Sequence, residues 1–450
     1  MALLLGLCFL LRLNYSIAMF LVLVYTYLKL SYSQLRINAY NLLYLILLYL
    51  LPFSFAYILV RHNWNIYYLP VAVIPMLAFL IFKEPFVPFL LGMVVSFSTG
   101  AIAGNSYNLC LVFLIGSLSA ILAVRKARRR MEIISAGFLV GALQAAGLFF
   151  LNHLSLIRPF DYLFIFLNGV VCGFLVLALL PVFEMLFQTV TDISLLELAD
   201  FNHPLLQRLM QEAPGTYHHS LLVGNISDAA AVAVGANSLL VRVGGYYHDI
   251  GKLSKPEYFS ENQIQGESKH DPLSPSMSKL VIMNHVKEGV ELARKYRLNP
   301  RIIDFIQQHH GTGLVYYFYR RALENIEGDE EIKEEGFRYP GPRPKTKEIA
   351  IVLLADSVEA GVRSLRQPTP ARIEELVHKI INNKFIDRQL DDCELTLRDL
   401  ERISSVFVRV LSGIYHSRIE YPDAPIVENN HKKSPENNNP KSEKDNCPGA

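Results

Sequence analysis

Seven stretches in the first 188 residues, near 11–30, 39–60, 65–82, 85–104, 107–124, 133–151 and 161–184, are each apolar over close to the ~20 residues that cover a bilayer as a helix. One such stretch also fits the buried core of a soluble protein. Seven in succession predict a polytopic helical membrane bundle, because lipid offers backbone N–H and C=O groups no partners of its own. Mean hydropathy over the chain is positive, and nearly all of the charge follows residue 188. The expected class is therefore all-α, with a membrane bundle over 1–188 and a charged half behind it.

An odd number of spans puts the two ends on opposite faces. Connections after the first, third and fifth spans hold Lys29 or Arg36, Lys83, and the run Arg125, Lys126, Arg128, Arg129 and Arg130, whereas the others hold only Arg61 and Arg158. The positive-inside rule then predicts a cell-membrane protein whose second half is cytoplasmic. Trp64, Tyr67 and Tyr68 suit an aromatic belt at the outer edge of the third span. The opening MALLLGLCFLL lacks a basic n-region and a small-residue cleavage site, so a retained or truncated span is expected over a cleaved signal peptide. The basic run at 125–130 is wedged between spans and reads as a topology signal and lipid-headgroup contact, so no DNA or RNA polymer is expected. Cys8, Cys110, Cys172, Cys393 and Cys447 form no Cys-x-x-Cys pair, so neither a disulfide framework nor a thiolate zinc site is indicated.

In the charged half, seven metal-type side chains recur at wide intervals: His219, His248, Asp249, His285, His309, His310 and Asp356. Helical periodicity places His219 on one face with Leu222, Val223 and Ile226, and His285 with Ile282, Val286 and Gly289. Asp356 follows Ile349, Val352 and Leu353, and His248 follows Val241 and Gly244. A carboxylate on such an apolar stripe costs several kcal/mol unless a cation or hydrogen-bond partner compensates it, roughly 3–5 for a buried charge left unpaired. In NPRIIDFIQQHHG, Asn299 reads as an N-cap, Pro300 as the first helical residue and Gly311 as terminator, leaving His309 and His310 in the last turn. This is enough imidazole and carboxylate to hold two transition-metal ions, the equipment of a phosphate-ester hydrolase.

The segments YHHSLLVGN, YYHDIGK, HDPLSPSMS, NHVKEGVELARKYRL, QHHGTGLVYYFY, FRYPGPRPKTKE and LLADSVEA resemble the HD-domain phosphohydrolases, and specifically the seven-transmembrane HD family of bacterial cyclic di-AMP phosphodiesterases. The resemblance runs from the membrane region to about Pro422. It implies an all-helical HD domain, metal ligands at the seven positions just named without substitution, two metal ions described as iron or manganese, and hydrolysis of cyclic di-AMP to linear pApA. Members carry a first anchor and a large extracytoplasmic domain ahead of the bundle, which this sequence, opening at Met1 inside an apolar segment, is expected to lack.

Metal-site logic makes Asp249 the expected bridge between two ions, with His219, His248 and Asp356 completing one site and His285, His309 and His310 the other. A histidine-rich set selects iron, manganese or zinc over magnesium. Lys252, three residues after Asp249, is expected on the same face, where it neutralises a phosphate oxygen; Asp249 and Lys252 are thus the catalytic pair. Residues 189–215 form an amphipathic coupling segment interrupted at Pro204 and Pro214, 216–424 the phosphohydrolase domain, 324–348 an acidic and Pro-rich loop beside the site, and 425–450 a disordered tail poor in apolar residues. The expected partners are a cyclic dinucleotide and the lipid bilayer, with homo-oligomer formation left open and regulation through the membrane half compatible with the layout. Two other readings stand beside this one: a phosphohydrolase for another nucleotide, and a metal-binding membrane receptor without turnover. A cyclic di-GMP enzyme of this kind carries Gly-Tyr-Pro after its histidine pair, where this chain has Gly311-Thr312-Gly313.

Overall fold

A computed structural model describes residues 53–152, 159–263, 268–324 and 332–415. The expected span at 11–30, most of that at 39–60, and the tail at 425–450 lie outside the described residues. Residues 53–61 are helical, and every further element among the described residues is helical too, apart from one isolated antiparallel bridge between Leu314 and Arg338. The all-α class is the one found.

Beyond the helical residues 53–61, the described membrane half contains α1 (Val73–Phe82), α2 (Phe86–Ile102), α3 (Tyr107–Val124), α4 (Arg130–Leu151) and α5 (Pro159–Phe187). Of these, α3, α4 and α5 are long and apolar enough to cross a membrane. The expected span 65–82 is not one helix. A 3₁₀ turn at Ile66–Tyr68 gives way to extended backbone at Leu69, and α1 begins only at Val73. Pro70 explains the break, since it has no N–H and pushes the preceding residue out of helical geometry. Asn168 of α5 repairs it by donating to the carbonyls of Tyr67 and Leu69 at 2.9 and 2.7 Å. Large apolar side chains stand outward, Leu122, Phe150 and Phe174 among them, a surface that suits lipid rather than water.

Helices α4 and α5 approach through two small-residue pairs, Gly137/Gly141 and Gly169/Gly173. A Cβ at Gly137 would lie 2.7 Å from the Gly169 carbonyl oxygen and 3.1 Å from the Gly173 Cα, so nothing larger fits without parting the helices.

The chain leaves α5 through Gln188, in left-handed backbone, and Thr191 caps α6 (Asp192–Leu198). Buried Glu184 accepts from the Thr191 N–H at 2.8 Å and from the Ser194 hydroxyl at 2.8 Å. Both prolines that interrupt the coupling segment stand at first helical positions, Pro204 in α7 (Pro204–Glu212) and Pro214 in α8 (Pro214–Val234). Contacts tie the two halves together: an ion pair between Lys83 and Asp192, Arg130 Nη2 to Glu197 Oε2 at 3.0 Å, and Arg301 Nε donating to the Gln188 carbonyl at 2.9 Å.

The remaining helices are α9 (Ser238–Tyr247), α10 (Pro275–Lys295), α11 (Pro300–Gln308), α12 (Tyr316–Glu324), α13 (Lys347–Arg363), α14 (Pro370–Ile386) and α15 (Leu397–Ile414). At the centre runs α13, whose Ile349 to Ala355 stretch is buried on every side against Val223 and Ile226 of α8 and Ile403, Phe407 and Leu411 of α15. A helix apolar all round needs enclosure. Two carboxylates interrupt this one, Asp356 and Glu359, both buried, and both must find partners inside the fold.

Candidate metal centre

Each ligand-type residue is delivered by a local feature of its own segment. His219 lies in the second turn of α8, and His285 on the buried stripe of α10 with Gly289. Asn299 caps α11 by accepting from the Arg301 N–H at 2.9 Å, Pro300 follows, and Gly311 takes positive φ, so His309 and His310 sit where the helix ends. Helix α9, capped by Asn237, stops at Tyr247; His248 remains helical in backbone, Asp249 leaves it, and a 3₁₀ turn, Ile250–Ser254, follows.

The structure brings all seven together. Oδ2 of Asp249 lies 3.2 Å from His248 Nε2 and 3.6 Å from His219 Nε2, while its Oδ1 lies 3.4 Å from His285 Nε2 and 3.6 Å from His309 Nε2. Asp356 Oδ1 stands 3.1 Å from His219 Nε2, and its Oδ2 stands 3.7 Å from His310 Nδ1. Two four-residue groups result, His219–His248–Asp249–Asp356 and Asp249–His285–His309–His310, each offering ligand atoms within 4.8 Å of one another and sharing Asp249.

Tautomers decide what these atoms offer. His248 Nδ1 lies 2.7 Å from the Gly245 carbonyl, His285 Nδ1 2.5 Å from that of Ile282, and His309 Nδ1 2.9 Å from that of Ile306. A carbonyl only accepts, so each Nδ1 carries the proton and each Nε2 presents a lone pair. The consequence is a crowd of acceptors: His285 Nε2 faces His309 Nε2 at 3.3 Å, and among the described residues neither His248 Nε2 nor Asp249 Oδ1 has a hydrogen-bond partner although both are buried. Acceptors converging without donors cost free energy unless a cation compensates them. The donor set therefore fits divalent metal ions.

Burial pushes the His285 imidazole down to about 4, and burial with the neighbouring His309 holds His310 well below its ordinary value, which keeps both neutral as ligands must be. Burial opposes the charge on Asp249, but His248 and Lys252 outweigh it and hold the carboxyl well below the usual range. Asp356 is lowered too, its burial outweighed by the His219 hydrogen bond and neighbouring imidazoles. His219 differs: burial disfavours its charge, yet hydrogen bonds to Asp356 and Glu359 raise it to about 9.

Lys252 stands over Asp249. Its Nζ is 2.7 Å from Asp249 Oδ2 and 2.7 Å from Glu261 Oε1, and its pKa is raised because these carboxylates outweigh burial. Sequence reasoning missed Glu261, and it missed the partner of His219. Glu359 Oε2 accepts from His219 Nδ1 at 2.5 Å and is itself held by Arg363 at 3.1 Å. A signal existed for Glu359, since it follows Asp356 by three residues on the same helix. None existed for Tyr339, which the Pro-rich loop stacks on His310 at 4.3 Å between ring centroids. A cavity of about 530 Å³ opens onto His219, Lys252, His285, His310 and Asp356.

Residues 7–191 match the family profile described as a 7TM receptor with intracellular HD hydrolase, and residues 216–361 match the HD domain. Two curated relatives bear the name cyclic-di-AMP phosphodiesterase PgpH. The Bacillus subtilis protein is 44% identical over 335 residues, 73% of this chain and 47% of the relative. The Listeria monocytogenes protein is 38% identical over 396 residues, 85% of this chain and 54% of the relative. The chain thus spans about half the length of the curated relatives it matches. A crystal structure of the Listeria PgpH HD domain in complex with cyclic di-AMP is 48% identical, covers 48% of this chain and 100% of that one, and superposes with a TM-score of 0.46.

Proposed function

Since the chain belongs to the family of seven-transmembrane receptors with an intracellular HD hydrolase, we propose that it is a membrane-bound, metal-dependent phosphodiesterase that hydrolyses cyclic di-AMP to linear pApA. The observation carrying this reading is the placement of Asp249, whose two oxygens face two separate sets of histidines. His219, His248, Asp249 and Asp356 would hold one cation, and Asp249, His285, His309 and His310 a second. Such a pair supplies Lewis-acid charge for in-line displacement at phosphorus and acidifies water toward neutral pH. Imidazole-rich donors suit iron or manganese.

The protein's own groups prepare that chemistry. The Nδ1–H bonds to backbone carbonyls and to Glu359 aim each imidazole and keep its inner nitrogen basic. Lys252 fixes the Asp249 carboxylate and lines the cavity, where its ammonium stabilises negative charge developing on a phosphate oxygen. Tyr339 walls one side of His310. The choice of cyclic di-AMP is supported by the names of the Bacillus and Listeria relatives.

The catalytic half faces the cytoplasm on the same reading, supported by the basic residues at 125–130 that precede α4. A reporter fused after Arg130 should be cytoplasmic and one fused after Asn152 extracytoplasmic; the reverse pattern would overturn this orientation. For the activity, the purified chain is incubated with manganese and cyclic di-AMP, cyclic di-GMP or guanosine tetraphosphate, and products are separated chromatographically. Formation of pApA is the expected result. Metal binding without turnover of any of the three would return the protein to the receptor reading.

A further inference from the structure

The cavity that opens onto His219, His285, His310 and Asp356 is also walled by Tyr258, His270, Tyr317, Phe318 and Arg321. His270 belongs to none of the metal-binding groups, and its chemistry is unusual for a wall residue. Only 6% exposed, it lies 2.9 Å through Nε2 from the Tyr258 carbonyl oxygen. The carbonyl can only accept, so Nε2 carries the proton and Nδ1 is left as a lone pair. That Nδ1 is shielded from solvent and has no hydrogen-bond partner among the described residues. An acceptor so placed is costly until a donor reaches it. The His270 ring lies between aromatic neighbours, 5.4 Å from Tyr258 and 4.9 Å from Phe318 between centroids, and Tyr317 stands 5.1 Å from Phe318.

Aromatic walls of this kind accept the face of a purine but do not tell one purine from another, because every base has a π-face. Discrimination needs a polar atom at the base edge. Adenine offers an amino N–H donor at its 6-position, where guanine offers a carbonyl acceptor. A lone acceptor in the wall satisfies the first and opposes the second. We infer that His270 is the specificity-determining residue of the cavity: its Nδ1 accepts a hydrogen bond from the 6-amino group of a bound adenine, while Tyr258, Tyr317 and Phe318 supply the apolar wall beside it. This rests on the phosphodiesterase reading and deepens it by naming the residue that selects adenine. His270 acts on binding rather than on the reacting phosphate, so its effect belongs mainly in KM.

The test compares kcat/KM for cyclic di-AMP and cyclic di-GMP in the manganese-loaded full chain, because a ratio of the two cancels any general loss of metal or fold. His270→Gln keeps a donor at the ε position for the Tyr258 carbonyl but removes the δ acceptor. His270→Asn places an amide oxygen at the δ position instead. Wild type should prefer cyclic di-AMP by about tenfold or more, the scale of one unpaired buried acceptor. The Gln variant should lose about that factor through KM, and the Asn variant should retain most of it. An unchanged ratio in the Gln variant, or equal loss in both variants, overturns the role of Nδ1. Wild type that cleaves both dinucleotides equally well overturns the adenine assignment alone. Wild type that hydrolyses bis(p-nitrophenyl) phosphate but neither dinucleotide overturns the substrate reading on which it rests.

Discussion

Replacing Asp249 by asparagine tests the proposed bridge, because the amide nearly conserves shape while removing the charge that faces the two histidine groups. The carboxylate now sets one oxygen against His219 and His248 at 3.6 and 3.2 Å and the other against His285 and His309 at 3.4 and 3.6 Å. An amide must turn its NH₂ toward one of these pairs, and that nitrogen cannot ligate a cation. Loss of an outer partner of a metal ligand already costs ~10–100-fold in affinity, so the loss of a ligand itself should cost at least ~100-fold at one site. The fold should survive. Breaking a buried ion pair costs about 3–5 kcal/mol when it strands a charge, but Lys252 keeps Glu261 at 2.7 Å and is not stranded. The structural cost should therefore lie nearer the ~1–3 kcal/mol of an imperfectly satisfied polar group. Metal content by mass spectrometry, cyclic di-AMP turnover and thermal midpoint are measured together on the purified full chain. Wild-type metal content with wild-type turnover in Asp249→Asn would refute the bridging role.

Glu359→Gln, which removes the charge behind His219 Nδ1 while keeping its volume, should weaken manganese binding by ~10–100-fold in a competition titration; an unchanged titration would reduce Glu359 to packing. Gly141→Leu should lower the thermal midpoint in detergent, because a Cβ there lies 3.0 Å from the Phe166 carbonyl carbon and overpacking costs about 1–3 kcal/mol; Leu143→Ala, on the outward face of the same helix, is the comparison that should leave it unmoved. Asp399→Ala removes half of the capping box of α15, in which Asp399 Oδ2 accepts from the Thr396 N–H at 3.0 Å, and should cost about 1 kcal/mol at neutral pH. The Asp399 pKa is lowered from 3.8 by that backbone bond despite some desolvation, with Lys347 adding to the effect, so the stabilisation is present above the unfolded value and is lost as pH falls through the folded one. Denaturant midpoints of wild type and variant should converge below about pH 4, and a gap that stays constant down to pH 2 would contradict the ionised cap.

Local signals account for the elements that were legible. Helix α3 coincides with its expected span because no charged residue or proline interrupts residues 107–124, and α11 was readable from Asn299, Pro300 and Gly311, which act on the backbone within one turn of themselves. The broken span at 65–82 had its cause in view at Pro70, but the repair did not: Asn168 reaches the freed carbonyls from about a hundred residues away. The same division runs through the candidate centre. Residues on long helices declared themselves as polar interruptions of apolar stripes, as His219, His285 and Asp356 do. Glu261, His270 and Tyr339 come from segments with no periodicity to violate, so their place beside the cavity depends on how those segments pack.

The His248–Asp249 pair shows why local geometry matters more here than helix continuation. On an uninterrupted α-helix, adjacent side chains diverge by about 100° and cannot both face one centre. Here α9 ends at Tyr247, Asp249 adopts φ −108° and ψ 14°, and the following turn is 3₁₀, so the two neighbours converge with Asp249 Oδ2 3.2 Å from His248 Nε2. In 3₁₀ geometry residues i and i+3 eclipse, which sets Lys252 directly over Asp249 more closely than an α-helix would. Gly251 makes the arrangement possible. A Cβ at that position would strike the carbonyl oxygen of His285, so a side chain there would part the turn carrying Asp249 from the helix carrying His285 and separate the two halves of the centre. The glycine that weakens a helical reading of this segment is thus the residue that lets its carboxylate reach both groups of histidines.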